Sequence, residues 1–282
     1  MSASREGADE GSDGGGRPPF VRIPGDPAAS LLLLCDHASN RIPDGLGNLG
    51  LPASEFERHI AYDPGAAAVT RALAARLSAP AILSTFSRLV IDPNRGRDDP
   101  TLVMKLSDGA VVPGNRHVGD SERRRRIVNF YEPYHAAIDA AVDERLAAGI
   151  VPALVSIHSF TPAWRGQIRP WQVGILWDRD PRLAVPLVAA LRADGALTVG
   201  DNEPYSGALR NDTMYRHGTR RGLAHALVEL RQDLIADEAG VQGWAERLAT
   251  ILRDLNRREE IHEVRRYGSR SEPSDPMYSS ES

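Results

Sequence analysis

Cysteine is nearly absent: the 282 residues contain one, Cys35, so no internal disulfide framework can hold the fold together. Long apolar runs are missing too, none approaching the ~18 residues of a membrane-spanning helix, and the amino-terminal segment lacks the apolar core of a secretory signal. Nor is there an excess of charge of one sign. Lys and Arg number 34 against 38 Asp and Glu, a formal net charge of −4 that offers no overall attraction to nucleic acid or anionic lipid. These absences lead to the expectation of a cytoplasmic enzyme acting on small molecules, with neither nucleic acid nor membrane as partner; nothing in the chain reports an oligomeric state. The remaining composition, 41% hydrophobic and 26% charged, is that of an ordinary globular protein.

The two ends are poor in apolar side chains. Residues 1–19 are rich in Gly, Ser, Asp and Glu and cannot bury enough surface to offset ordering entropy; 259–282 is expected to behave likewise, leaving 20–258 as one domain. Within it, LLLLC (Leu31–Cys35) is too uniformly apolar for an amphipathic strand and reads as a central one covered on both faces. Phe20–Pro24 reads as an edge strand. Ala66–Leu77 carries apolar residues at helical spacing, with Pro64 suited to a first turn and Asp63 to an N-cap. Ala79–Asn94 reads as two short strands, Ser121 as the cap of a helix running to about Ala148, and Arg123–Arg126 as a basic run in its first turn, mostly solvated surface. Further strands are expected over 172–177, 197–200 and 222–230, and helices over 181–194 and 238–255. Strands and helices alternate, so the class is α/β, a single-domain three-layer sandwich with a mainly parallel or mixed central sheet.

Chemistry gathers at strand ends. His37 lies just past the first central strand, where open α/β sheets bind ligands, although Asp36 and Asn40 also read as turn caps around a satisfied polar histidine. A second apolar run, Val151–Phe160, delivers His158 in the same way, and two strand-end histidines point to one site. With Asp63 they form the set of three ligands that a catalytic zinc takes, leaving a fourth position for water. No short local motif joins them, so the fold has to build the site. Glu229, near the end of the apolar stretch LAHALVEL, is the candidate proton carrier, with a structural ion pair as the competing account. Cys35 reads as a small buried hydrophobe.

Several segments in order, CDHASNRIP, YDPGA, FSRLVIDPNRG, SIHSF and LVELRQDL, resemble the N-formylglutamate amidohydrolase family over roughly Leu31 to Leu255. The resemblance implies the phosphorylase/hydrolase-like α/β fold, shared with zinc carboxypeptidases and zinc-dependent N-acetylmuramoyl-L-alanine amidases. By comparison with those amidases it also implies one zinc ion on His37, Asp63 and His158, with Glu229 catalytic. In the carboxypeptidases the second ligand comes three residues after the first, which would select Asn40, a poor ligand for a divalent cation. The better-known branch of the family carries His-Ser-Gly where this chain has His37-Ala38-Ser39, so the resemblance bears on metal-dependent amide hydrolysis more than on the substrate.

The expected activity is hydrolysis of an N-acyl amino acid, N-formyl-L-glutamate to formate and glutamate first among them. Arginine's planar fork suits substrate carboxylates. Candidates to bind them are Arg88, Asn94 and Arg95 around one strand end, and His217 and Arg220 in the loop before Glu229. The alternatives are an amidohydrolase of another N-acyl amino acid or small peptide, and a non-catalytic binder of acidic metabolites.

Overall fold

The structure, a computed structural model, describes residues 17–272. The disorder expected over 1–19 lies outside the described residues through residue 16, and that expected over 259–282 does so from 273.

In chain order the strands are β1 (Phe20–Ile23), β2 (Leu31–Cys35), β3 (Ala81–Ser84), a ribbon of β4 (Leu106–Ser107) and β5 (Ala110–Val111), and β6 (Ala153–Phe160). A second ribbon, β7 (Ala163–Trp164) with β8 (Gln167–Ile168), precedes β9 (Val173–Leu176), β10 (Val199–Asp201) and β11 (His225–Arg231). Seven of them form one sheet in the order β1-β3-β2-β6-β11-β9-β10. The four central strands β3, β2, β6 and β11 run parallel, while β1 and the pair β9/β10 run antiparallel to their central neighbours.

The helices are α1 (Ala66–Leu77), α2 (Asp120–Arg126), α3 (Glu132–Ala147), α4 (Pro181–Ala193), α5 (Thr213–His217) and α6 (Glu238–Leu255). Alternation along β2 divides the core in two. Leu31, Leu33 and Cys35 meet α1, α4 and α6 on one face, and Leu32 and Leu34 join Tyr134, Ile138 and Val142 of α3 on the other. The expected three-layer α/β sandwich is thus present, its central strand apolar throughout because both faces are covered. In α6, Val241, Trp244, Ala245, Leu248, Leu252 and Leu255 form the buried stripe, and the Asp237 carboxylate caps its start by accepting from Gly240 N–H.

Four expectations need correction. Only Ala81–Ser84 of the 79–94 stretch is a strand; from Thr85 the chain turns through the core, its amides satisfied one by one, Ser87 by Arg41, Arg88 by Ala61 and Asp92 by Leu102. An apolar run reports burial, not pairing. The helix expected from Ser121 starts at Asp120, without a side-chain cap, and is interrupted by a π-helical turn at Ile127–Tyr131. Within the arginine run, Arg126 is buried, donating to the Val90 carbonyl and Asn115 and pairing with Glu122. Finally, ordered packing continues past 258. Ile261 is buried, Arg182 donates to the carbonyls of Glu260 and Glu263, and Arg270 pairs with Asp178. Backbone carbonyls gathered by one arginine leave no trace in local composition.

Candidate functional site

Because β2, β6 and β11 are parallel neighbours, their carboxyl ends deliver side chains to one place. His37 follows β2 by two residues. His158 of β6 and Glu229 of β11 are register partners, and alternation turns both away from the α1/α4/α6 layer, toward α3.

Asp63 reaches the same point by a turn, not by capping α1. The N-cap of α1 is Gly65, whose φ of 81° is left-handed, and no side chain caps the helix. A Cβ at Gly65 would lie 2.6 Å from the Ile235 carbonyl oxygen, so glycine alone fits this approach. The carboxylate is thereby free, its Oδ2 lying 2.9 Å from His158 Nδ1 and 3.3 Å from His37 Nδ1. One donor atom from each of His37, Asp63 and His158 lies within 4.8 Å of the others, and all three residues are buried.

Each histidine is oriented from behind by a further carboxylate. His37 Nε2–H donates to Asp92 Oδ1 at 2.7 Å and His158 Nε2–H to Asp36 Oδ2 at 2.8 Å. These acids are themselves held: Asp92 accepts two hydrogen bonds from Arg88, and Asp36 accepts from Tyr134, Ser156 and Thr213. Burial alone would raise Asp36, yet the hydrogen bond and charge of His158 hold it well below the usual carboxylate range. Asp92 is likewise lowered against burial by Arg88 and His37, and Asp63 by the two histidines. For His158, burial is outweighed by its bonds to Asp36 and Asp63, and its pKa rises. With both Nε2 atoms committed as donors, each ring turns its Nδ1 toward the Asp63 carboxylate, and on a neutral ring that atom is a lone pair. Only a proton or a cation can hold three such electron-rich atoms together.

Glu229 differs from these acids. It is 6% exposed, and its Oε2 is buried with no hydrogen-bond partner among the described residues. Burial, opposed by His158 and reinforced by Asp63, pushes its pKa up to about 7. A cavity of about 610 Å³ opens over this group, with Arg88, Asn94 and Arg95 among its lining residues. Arg88 is occupied by Asp92 and, at 3.5 Å, by Asp63. Arg95 donates to the Asn94 carbonyl and makes no ion pair among the described residues.

Two expected substrate contacts lie elsewhere. His217 is buried between His135 and Asp139, and Arg220 borders a separate surface hollow with Arg97 and Arg216; neither lines the cavity. The short helix α5, read from sequence as polar loop, carries His217 inward. Asn40 donates to the Phe56 carbonyl and is not in the cluster. Reading the sequence missed Asp36 and Asp92 as partners of the histidines, although each sits in a quoted motif, and it missed Tyr205, which lines the cavity and whose pKa is raised by burial and by Glu229.

A model of the N-formylglutamate amidohydrolase family matches residues 29–236. The chain belongs to this family. The matched span reaches from just before β2 to just beyond β11 and so covers His37, Asp63, His158 and Glu229 with Asp36 and Asp92, while α6 lies outside it. Among solved structures, a gene product of Agrobacterium tumefaciens is 35% identical with a TM-score of 0.81, covering 87% of this chain and 97% of that one. An N-formylglutamate amidohydrolase from Ralstonia eutropha is 24% identical with a TM-score of 0.64, covering 84% of this chain and 97% of that one. No curated protein matches the chain. No helix among the described residues is long and apolar enough to cross a membrane.

Proposed function

We propose that this family member hydrolyses the amide bond of an N-acyl amino acid, N-formyl-L-glutamate before others, with one zinc ion held by His37, Asp63 and His158. The donor set suits the ion, since two imidazoles and a carboxylate are ordinary protein ligands of a catalytic zinc, and each imidazole has its own carboxylate behind it. Charge argues the same way: Asp36, Asp63 and Asp92 against Arg88 leave two negative charges in a buried volume, which a divalent cation balances. When bound, such an ion acts as a Lewis acid on a carbonyl and on water.

Glu229 is the observation that carries the reading. A buried carboxyl with one oxygen unpartnered among the described residues and a pKa of about 7 can accept a proton from the attacking water and return it to the departing nitrogen at neutral pH. A solvated carboxylate would be the weaker base. Arg95, which makes no ion pair among the described residues and lies at the cavity wall, is the group for a substrate carboxylate, and Asn94 beside it supplies a polar contact. Arg88, held by Asp63 and Asp92, contributes its charge from a fixed position. The size of the cavity favours a second reading. About 610 Å³ falls in the ~300–1,000 Å³ range of pockets for drug-sized ligands, room enough for a bulkier N-acyl amino acid or a small peptide.

The test is a hydrolysis screen with zinc restored, covering N-formylglutamate, N-formylalanine, N-acetylglutamate and short acyl peptides. N-formylglutamate should have the highest kcat/KM. Stoichiometric zinc with no turnover of any of them would refute the enzyme and leave a binder of acidic metabolites.

A further inference from the structure

The sheet face that carries the candidate site holds a second buried imidazole pair: His135 on α3 and His217 at the end of α5, both fully buried. Their nitrogens form an unbroken chain. His135 Nε2 lies 3.0 Å from the Pro93 carbonyl oxygen, His135 Nδ1 lies 2.8 Å from His217 Nε2, and His217 Nδ1 lies 3.0 Å from Asp139 Oδ1. A carbonyl only accepts, so His135 Nε2 must carry a proton. Neutral His135 then accepts at Nδ1 from His217 Nε2–H, and His217 Nδ1 needs a further proton to donate to Asp139. Three contacts therefore require three ring protons, one more than two neutral imidazoles possess. Making all three bonds at once gives the pair a single positive charge opposite Asp139, against the burial that draws both rings toward the neutral form.

What the chain grips is the Asp92–Arg95 segment. Pro93 follows Asp92, which orients His37, and precedes Asn94 and Arg95 at the cavity wall. The start of α5 holds the same segment, as Thr213 N–H donates to Asn94 Oδ1. We propose that His135 and His217 are positioning residues, a proton-shared clamp on the Pro93 carbonyl that sets Asp92, Asn94 and Arg95. For its effect on substrate the inference rests on the function proposed above; the proton count does not. The charged groups facing the pair are Asp139 on α3, Arg216 on α5, Arg221 beyond it with its partner Asp143, and Asp36 from the end of β2; the Tyr131 and Tyr134 rings pack against His135. Burial draws both histidines toward the neutral form, so the third proton is the one released as pH rises, and one of the three bonds then opens.

The experiment is ¹⁵N NMR of histidine-labelled protein, with kinetics on N-formylglutamate, for the parent, His217→Gln and His217→Leu. At low pH the parent should show three ring N–H signals shared by the pair, one of them lost in a single step on raising pH. In His217→Gln the amide still donates to His135 Nδ1 but does not titrate, so KM should stay near parental while that step disappears. His217→Leu should raise KM about tenfold, the effect of one hydrogen bond, with a much smaller change in kcat. Two ring protons in the parent at low pH, or parental KM in a folded His217→Leu protein, overturns the clamp. A parent that turns over no N-formylglutamate would sink the activity reading by itself, and the proton count would still decide the clamp.

Discussion

Two imidazole pairs lie on one face of the sheet, and they differ in the acids around them. His37 and His158 meet edge to face, centroids 4.8 Å apart at 88°, among Asp36, Asp63 and Asp92. His135 and His217 are stacked, 5.1 Å apart at 22°, with Asp139 the one acid bonded to them among the described residues. In the first pair each ring donates backward to its own carboxylate, so both remaining lone pairs face Asp63. In the second the rings bond each other, and a single acid balances a single proton. Acid count and ring orientation separate a place suited to a divalent cation from one suited to a proton, although both use buried histidines.

The largest effects should come from the cation pair. His37→Ala and His158→Ala should each lose zinc and with it essentially all turnover, whereas His135→Asn should keep stoichiometric zinc by elemental analysis. Asp63→Ala should weaken zinc and Asn40→Ala should leave it unchanged; the reverse result would move the second ligand to Asn40. Next in size is Glu229→Gln. It removes the basic group while keeping shape, so turnover should fall about 10²–10⁴-fold with zinc content near parental. A destabilised protein that keeps its activity per folded molecule would make Glu229 a structural acid instead.

Smaller still are the acids behind the rings. Asp36→Asn and Asp92→Asn should weaken zinc affinity roughly 10–100-fold, whereas Asp139→Asn, bonded to the other pair, should leave it unchanged. Competition with a chromophoric chelator measures all three, and equal affinities throughout would erase the distinction between the pairs.

How much of this the sequence discloses depends on how local each signal is. The uniform apolarity of Leu31–Cys35 announces a central strand, and an apolar run reaching His158 announces a buried histidine near a strand end, because burial on two faces is written residue by residue. Asp63 reads from sequence at the head of α1 as a candidate ligand with an N-cap as the local alternative; the structure gives that cap to Gly65, and the left-handed backbone that frees the carboxylate is not written in the residue pattern. Asp36 and Asp92 gain their roles from histidines at positions 158 and 37, and His217 gains its own from His135, a separation no spacing rule encodes. The buried turn through Val90 and Ile91 mimics a strand because apolar content is the same for both. The 259–272 segment escapes notice for a different reason: what holds it is the Arg182 guanidinium reaching main-chain oxygens, to which composition is blind.

The last prediction concerns Asp212, at the head of α5, the helix that touches both pairs through Thr213 to Asp36 and His217 to His135. Its carboxylate accepts from Tyr215 N–H at 2.7 Å and so caps the helix. Burial pushes its pKa up to about 7, with the cap bond opposing and the charge of Asp36 adding. The unfolded chain ionises this group near 3.8, so between the two values the native state holds a proton that the unfolded state has released. The stability contribution of Asp212 is therefore complete below about 3.8, falls as pH rises and is gone once pH passes about 7. Asp212→Asn keeps a cap of similar quality and cannot ionise. In calorimetry of the metal-free proteins the two should melt nearly together at pH 4, within the ~1 kcal/mol that distinguishes caps. The parent should then fall progressively behind the variant up to pH 7, with no further divergence above it. Other titrating groups cancel in the difference to the extent that the substitution leaves them undisturbed. A difference that stays flat from pH 4 to 8 would mean that Asp212 is ionised throughout, with Arg95 as its counter-charge, and Arg95 would then have an acid partner of its own and lose its claim on the substrate carboxylate.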